Sequence, residues 1–273
     1  MKRSPLAFLF LALGCAASAP AATPEFITSD QASVMVVGGS MMNGNHFADA
    51  TLPAMREHYR GVQLVALVLH ASHPRDRDRM EARLQQAFEH LGGIRAESLH
   101  RHDTAGAAAL LKRADGIFVG GGETFVLLRE LYETGQLELI RERVRAGVPY
   151  GGSSAGANVA GLLIGTTNDF PVADIPSRRS LAIFPAVINP HHPRPEAAAD
   201  FRGRAGKIGF YLSFNPDEQV LALGDAAIAR LHRGVVKIEL GPAWLYDSSG
   251  DKALPEHEAV PLRALESAQT SKR

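Results

Sequence analysis

Apolar positions along the chain change their spacing repeatedly, and each change predicts an element. Residues 33–37 (Ser-Val-Met-Val-Val) form an apolar run ending on Gly38-Gly39, the pattern of a strand followed by a turn. Residues 62–69 are apolar without interruption between turn signals, as expected of a strand buried on both faces. A helix is expected between them, over 48–59. Charged residues dominate 75–91, but Met80, Leu84, Ala87, Phe88 and Leu91 recur at helical spacing and Gly92-Gly93 closes the segment. A strand over 94–99, a helix over 105–112 and a strand over 116–119 follow, the last closed by Gly120-Gly121-Gly122. Helices over 123–131 and 136–146 and a short strand over 148–150 complete the succession. This alternation predicts an α/β fold: a mostly parallel sheet with helices on both faces.

Beyond residue 160 the rhythm shifts to short apolar runs among loops, with strands expected at 181–188, 219–223, 227–231, 235–240 and 243–246. Gly241-Pro242 suits a closing hairpin region, and the polar tail after 262 is expected to fray. With no repeat, coiled coil or long linker, residues 23–273 read as a single hydrolase-type domain. A 45% hydrophobic composition suffices for its core. The charge is balanced, 29 basic against 29 acidic residues, which argues against a nucleic-acid or anionic-membrane partner.

Residues 1–22 differ in kind. A basic start, Met1-Lys2-Arg3, precedes an uncharged apolar run over 6–13 and then small residues, the layout of an export signal with cleavage expected after Ala21. The run is too short for a stable membrane span. The expected location is therefore periplasmic or secreted. Cys15, the only cysteine, stands in Ala12-Leu13-Gly14-Cys15, an imperfect lipoprotein site. It is either a lipid anchor or is discarded with the signal, and in both cases the mature chain has no disulfide.

Candidate chemistry concentrates between the glycine turn and His191. Gly152-Ser153-Ser154-Ala155-Gly156 matches the nucleophile elbow Gly-x-Ser-x-Gly, with a strand expected before it and a helix start after it. The same pentapeptide also suits a plain helix-capping turn. A serine nucleophile needs a base, and the base an orienting carboxylate. His191, at the end of an apolar run, and Asp169, in Thr166-Thr167-Asn168-Asp169, follow in the order Ser, Asp, His. Asp169 is alternatively a turn cap. His191-His192 lacks a third ligand at metal spacing, so no metal is expected. The pairs His70/His73 and His100/His102 are expected to face solvent. The turn Gly120-Gly121-Gly122 suits either a phosphate or a tetrahedral oxyanion, although it lacks the lysine of a phosphate-binding loop.

Four segments together carry a resemblance: Gly-Gly-Gly-Glu-Thr-Phe (120–125), Ser-Ala-Gly-Ala-Asn-Val-Ala (154–160), Thr-Thr-Asn-Asp-Phe-Pro-Val (166–172) and Phe-Pro-Ala-Val-Ile-Asn-Pro-His (184–191). The chain resembles the aspartyl dipeptidases known as dipeptidase E or peptidase E, relatives of cyanophycinase, over about residues 33–262. The resemblance implies a fold close to class I glutamine amidotransferases and a serine-type peptidase without cofactor, acting on small peptides with N-terminal Asp. It places a triad on Ser154, Asp169 and His191 and an oxyanion hole on the N–H groups of Gly122 and Ala155. It further implies an arginine that binds the substrate Asp side chain. Arg204 is the candidate, with Arg202 and Lys207 as competitors in a glycine-rich stretch. Glu123 stands where the family often has Asn, either to pair with a substrate ammonium or simply to favour a helix start. A cyanophycinase-like release of β-Asp-Arg ranks second, since the expected Asp-Gln after the glycines is here Glu123-Thr124. An exported, non-catalytic binding protein of the same fold is the reading from another class.

Overall fold

A computed structural model describes Phe26 and residues 29–265. In chain order the strands and helices are β1 (Ser33–Val37), β2 (Met42–Asn43), β3 (His46–Phe47), α1 (Leu52–His58), β4 (Leu64–Val68), α2 (Pro74–Gly92), β5 (Arg95–Ser98), α3 (Thr104–Arg113), β6 (Gly116–Val119), α4 (Thr124–Glu133) and α5 (Gln136–Arg145). There follow β7 (Tyr150–Ser153), α6 (Ala155–Ala160), β8 (Val187–Asn189), α7 (Ala198–Phe214), β9 (Val220–Leu223), β10 (Ile228–His232), β11 (Val235–Leu240), β12 (Ala243–Asp247) and β13 (Gly250–Leu254).

The larger sheet has seven strands in the order β11-β10-β1-β7-β6-β4-β5. Strands β1, β7, β6, β4 and β5 run parallel, and β10 and β11 add an antiparallel edge. Alternation along each strand divides the apolar residues between two cores. Val34, Val36, Leu64, Ala66 and Val68 pack with α3, α4, α5 and α6. Met35, Val37, Val65 and Leu67 face the other way, onto Met55 of α1 and Leu84, Ala87 and Phe88 of α2. This is the expected α/β architecture with both sheet faces covered.

Three local expectations are corrected. The strand expected at 148–150 starts two residues later, as β7 over Tyr150–Ser153. Glycines fill its middle because other groups crowd both faces: a Cβ on Gly151 would sit 2.3 Å from the Tyr59 hydroxyl, and one on Gly152 2.4 Å from the Gly156 carbonyl. Only the last two residues of the strand expected at 181–188 are strand, the start of β8 over Val187–Asn189, and the residues before them form buried irregular chain. Helix α7 was not expected at all, since Gly203, Gly206 and Gly209 weaken its local signal. It forms because Phe201, Ala205, Ile208 and Leu212 share one face and pack with Trp244 and Tyr246. Those last two side chains belong to a second, four-stranded sheet in the order β13-β12-β9-β8, in which β8 and β9 are parallel. That short parallel pair sets its strand ends beside the elbow.

Candidate active site

Ser154 follows directly on β7 and caps α6, with φ 55° and ψ −112°. A non-glycine residue in that region is strained, and the surroundings must hold it there. They do so through two flanking glycines and one backbone bond. A Cβ on Gly156 would lie 2.1 Å from the Val119 carbonyl, and the Ser154 N–H donates to the Val37 carbonyl at 3.0 Å. The Ser154 hydroxyl, turned outward, is 2.8 Å from Nε2 of His191.

His191 lies two residues beyond β8, also at positive φ (53°), and its N–H donates to the Gly38 carbonyl at 2.9 Å. Its Nδ1 is 2.5 Å from Oδ1 of Asp225. With the ring proton on Nδ1 shared with that carboxylate, Nε2 is free to accept the serine proton. Serine, histidine and aspartate therefore form one continuous line.

The carboxylate in that line is not the expected one. Asp169 points to the start of α4, where its Oδ2 accepts from the Thr124 N–H at 2.9 Å and from the Thr167 hydroxyl. It satisfies an N–H at the head of the helix and does not reach His191 as expected; neither does it act only within its own turn. Asp225 instead comes from the turn after β9, and the parallel pairing of β8 with β9 brings its strand end beside that of His191. The sequence carried a weak signal for it, an acidic residue in the short turn between two expected strands.

A turn that looked like simple punctuation, Val37-Gly38-Gly39, holds the nucleophile, its chain neighbour Ser153 and the base. Val37 accepts from Ser154, Gly38 accepts from His191, and the Gly39 carbonyl accepts from the Ser153 hydroxyl at 2.6 Å. A Cβ on Gly39 would meet Asp225 Oδ1 at 2.2 Å and the His191 ring at 2.6 Å, so the imidazole and carboxylate lie directly on this glycine.

The glycine turn 120–122 lies against the nucleophile: a Cβ on Gly121 would be 2.9 Å from the Ser154 Cβ. Gly122 has φ 138°, and a Cβ there would strike the Ala71 carbonyl at 2.2 Å. That carbonyl also accepts from the Glu123 N–H at 2.9 Å. Behind this wall His70 is buried, not solvent-facing as its sequence position suggested. Its Nδ1 is 2.8 Å from Glu130, and its Nε2 is 2.8 Å from Gln136. Arg77 closes the cluster, donating to Glu130 at 2.7 Å and to the His70 and Ser72 carbonyls. Burial alone would raise the Glu130 carboxyl, but hydrogen bonds from His70 and Arg77 hold it at about 2.

Glu123 caps α4 through Oε2, which accepts from the Val126 N–H at 2.7 Å, while its buried Oε1 has no partner among the described residues. Burial raises this carboxyl above its usual range, and the neighbouring Asp169 charge adds to the shift. Arg204 is half-buried on α7 and donates from Nη1 to Asn189 Oδ1 at 3.1 Å and to the Pro190 and His191 carbonyls. Burial lowers its pKa, and among the described residues no carboxylate pairs with it. Its competitors Arg202 and Lys207 are exposed. His192 is turned away from the site, with Nε2 3.0 Å from the Tyr246 hydroxyl.

The chain is similar to known proteins over most of its length. The profile of peptidase family S51 matches residues 34–238. Peptidase E of Haemophilus influenzae (strain ATCC 51907 / DSM 11121 / KW20 / Rd) is 34% identical over 207 residues, covering 74% of this chain and 93% of that protein. A Drosophila melanogaster protein named "Probable alpha-aspartyl dipeptidase" is 38% identical over 172 residues, covering 63% of this chain and 70% of its own. The crystal structure of a peptidase from an acI-B1 actinobacterium superposes with a TM-score of 0.64 at 18% identity, over 85% of this chain and 97% of that one.

Proposed function

The chain belongs to peptidase family S51 and is a serine-type peptidase, and from that premise we propose that it is an exported exopeptidase that removes N-terminal aspartate from dipeptides or short peptides. The observation that carries the reading is the unbroken line from Ser154 Oγ through both ring nitrogens of His191 to Asp225. His191 takes the serine proton as Oγ attacks the scissile carbonyl carbon. Asp225 keeps the imidazole in the productive tautomer and stabilises the imidazolium that forms. The N–H groups of Gly122 and Ala155 receive the oxyanion, worth about 3 kcal/mol per donor in comparable sites. His191 then gives its proton to the leaving amine, and water hydrolyses the acyl-enzyme by the reverse sequence.

Substrate choice follows from charge. Arg204, which among the described residues has no carboxylate partner, suits the substrate's Asp side chain, and the acidic pair Glu123 and Asp169 suits its α-ammonium. Export rests on the pattern of residues 1–22, which lie outside the described residues. Fractionation of cells expressing the full chain tests it: export predicts a shortened product outside the cytoplasm.

The enzymatic test uses Asp-Xaa, Glu-Xaa, Ala-Xaa and β-Asp-Arg dipeptides with the protein and its Ser154→Ala variant. Asp-Xaa should be cleaved, and only with Ser154 present. Turnover that survives Ser154→Ala would end the serine mechanism. Cleavage of β-Asp-Arg alone would move the substrate to the cyanophycinase side. Arg204→Ala should raise KM for Asp-Xaa more than for Ala-Xaa.

A further inference from the structure

A cavity of about 230 Å³ opens beside the nucleophile and is lined by Met41, Met42, Met80, Leu84, Phe118 and Arg83. Ser154, His191 and Gly121 form its border with the catalytic line. We propose that this cavity is the subsite for the leaving residue, and that it takes an apolar side chain together with that residue's free C-terminal carboxylate. The inference rests on the aspartyl dipeptidase reading above and adds the other half of the substrate.

Position argues first. Glu123, Asp169 and Arg204, assigned to the ammonium and side chain of the first residue, contribute nothing to the lining of this cavity. The imidazole of His191 borders it, and the nitrogen that this imidazole protonates belongs to the leaving residue. The acyl half and the leaving half of a dipeptide thus fall on opposite sides of Ser154.

Chemistry argues second. Met41, Leu84 and Phe118 are almost fully buried and make an apolar back wall, while Met42 and Met80 are half-exposed. Flexible, polarizable thioethers adapt to side chains of different shape, so Leu, Met and Phe should all be accepted. The volume lies below the range of drug-sized pockets and suits one side chain. Arg83 is the only permanently charged side chain in the lining. Its Nε and Nη2 donate to the Gly44 carbonyl at 3.2 and 2.8 Å, which fixes the guanidinium while other N–H donors stay unused. No carboxylate among the described residues pairs with it, so the carboxylate of a leaving residue is a matching partner.

The test compares kcat/KM for Asp-Leu, Asp-Met, Asp-Phe, Asp-Gly and Asp-Leu-amide, for the protein and for Met80→Trp, Met42→Trp and Arg83→Gln. Asp-Leu should exceed Asp-Gly by about tenfold or more. Either tryptophan, by filling the cavity, should bring that ratio close to one. Arg83→Gln should instead collapse the preference for Asp-Leu over its amide. Each comparison is a ratio within one protein, so partial loss of folded enzyme cancels. Equal cleavage of Asp-Gly and Asp-Leu, or ratios unmoved by both tryptophan variants, overturns the subsite while Asp-Xaa hydrolysis stands. No cleavage of any Asp-Xaa overturns the substrate reading and this inference with it.

Discussion

Replacing Asp225 by Asn removes the charge from His191 and leaves the side-chain shape nearly unchanged. The magnitude follows from the geometry. In the transition state His191 becomes cationic with the Asp225 carboxylate 2.5 Å from Nδ1. At about 4 Å between charge centres the attraction is roughly 1 kcal/mol in water and 4 kcal/mol in an effective dielectric of about 20. The Asp225 side chain is 70% exposed and that of His191 45%, so solvent screening favours the lower half of the range. An amide can also donate to Nδ1, which stabilises the tautomer in which Nε2 carries the proton and cannot accept one. The two effects together predict a loss of kcat of about 10² to 10³-fold, below the roughly 10⁴-fold known for a buried triad aspartate. KM for Asp-Xaa should change little. Asp169→Asn makes the contrast, because its contacts are to Thr124 and Thr167 at the start of α4. It should act on KM and on stability, with kcat within about tenfold. Steady-state kinetics of the two variants on one Asp-Xaa substrate decides the matter. If Asp225→Asn keeps kcat within threefold while Asp169→Asn abolishes it, the assignment of the orienting carboxylate is wrong.

Gly39→Ala should lower kcat by about 10²-fold with little change in Tm, because its Cβ displaces the His191 and Asp225 side chains without touching the core. Kinetics with thermal melts checks both halves. Arg77→Met should destabilise the fold by about 2–4 kcal/mol in urea titration and lower kcat, since Glu130 loses a partner and the 70–72 wall behind Gly122 loses its clamp. Wild-type stability with Arg77→Met would refute the clamp. His58, fully buried, is held down to about 3 by desolvation. The folded state therefore keeps it neutral while the unfolded chain takes a proton below about 6.5. Its contribution to stability is present above that value and is lost as pH falls toward 3, at up to about 1.4 kcal/mol per unit. His58→Gln should remove about one proton from the pH dependence of unfolding between pH 4 and 6; an unchanged slope would show that His58 is not its source.

Local patterning carried the parallel half of the fold. Strands β1, β4, β5 and β6, each helix from α1 to α5 and, displaced by two residues, β7 are announced by apolar period and glycine stops, because both faces of that sheet are buried and leave a strong signal; the short pair β2 and β3, outside that sheet, is not. The elbow and the glycine turn were legible for a related reason: close backbone approach leaves room for glycine only, so geometry is written into residue type at 122, 152 and 156. Ser154 and His191 were legible with them. Helix α7 was hidden by three glycines, and its buried face needed Trp244 and Tyr246 to become meaningful. The choice between two carboxylates was decided by the tertiary structure, the acidic residue in the turn after β9 being only a weak local signal. Asp169 is near Ser154 along the chain, but its carboxylate satisfies an N–H at the head of α4. Asp225 is 71 residues from Ser154 in sequence and reaches His191 because β8 and β9 pair in parallel and end together. Strand pairing is a long-range property that no short window of sequence contains, so the residue types were local information and their partners were not.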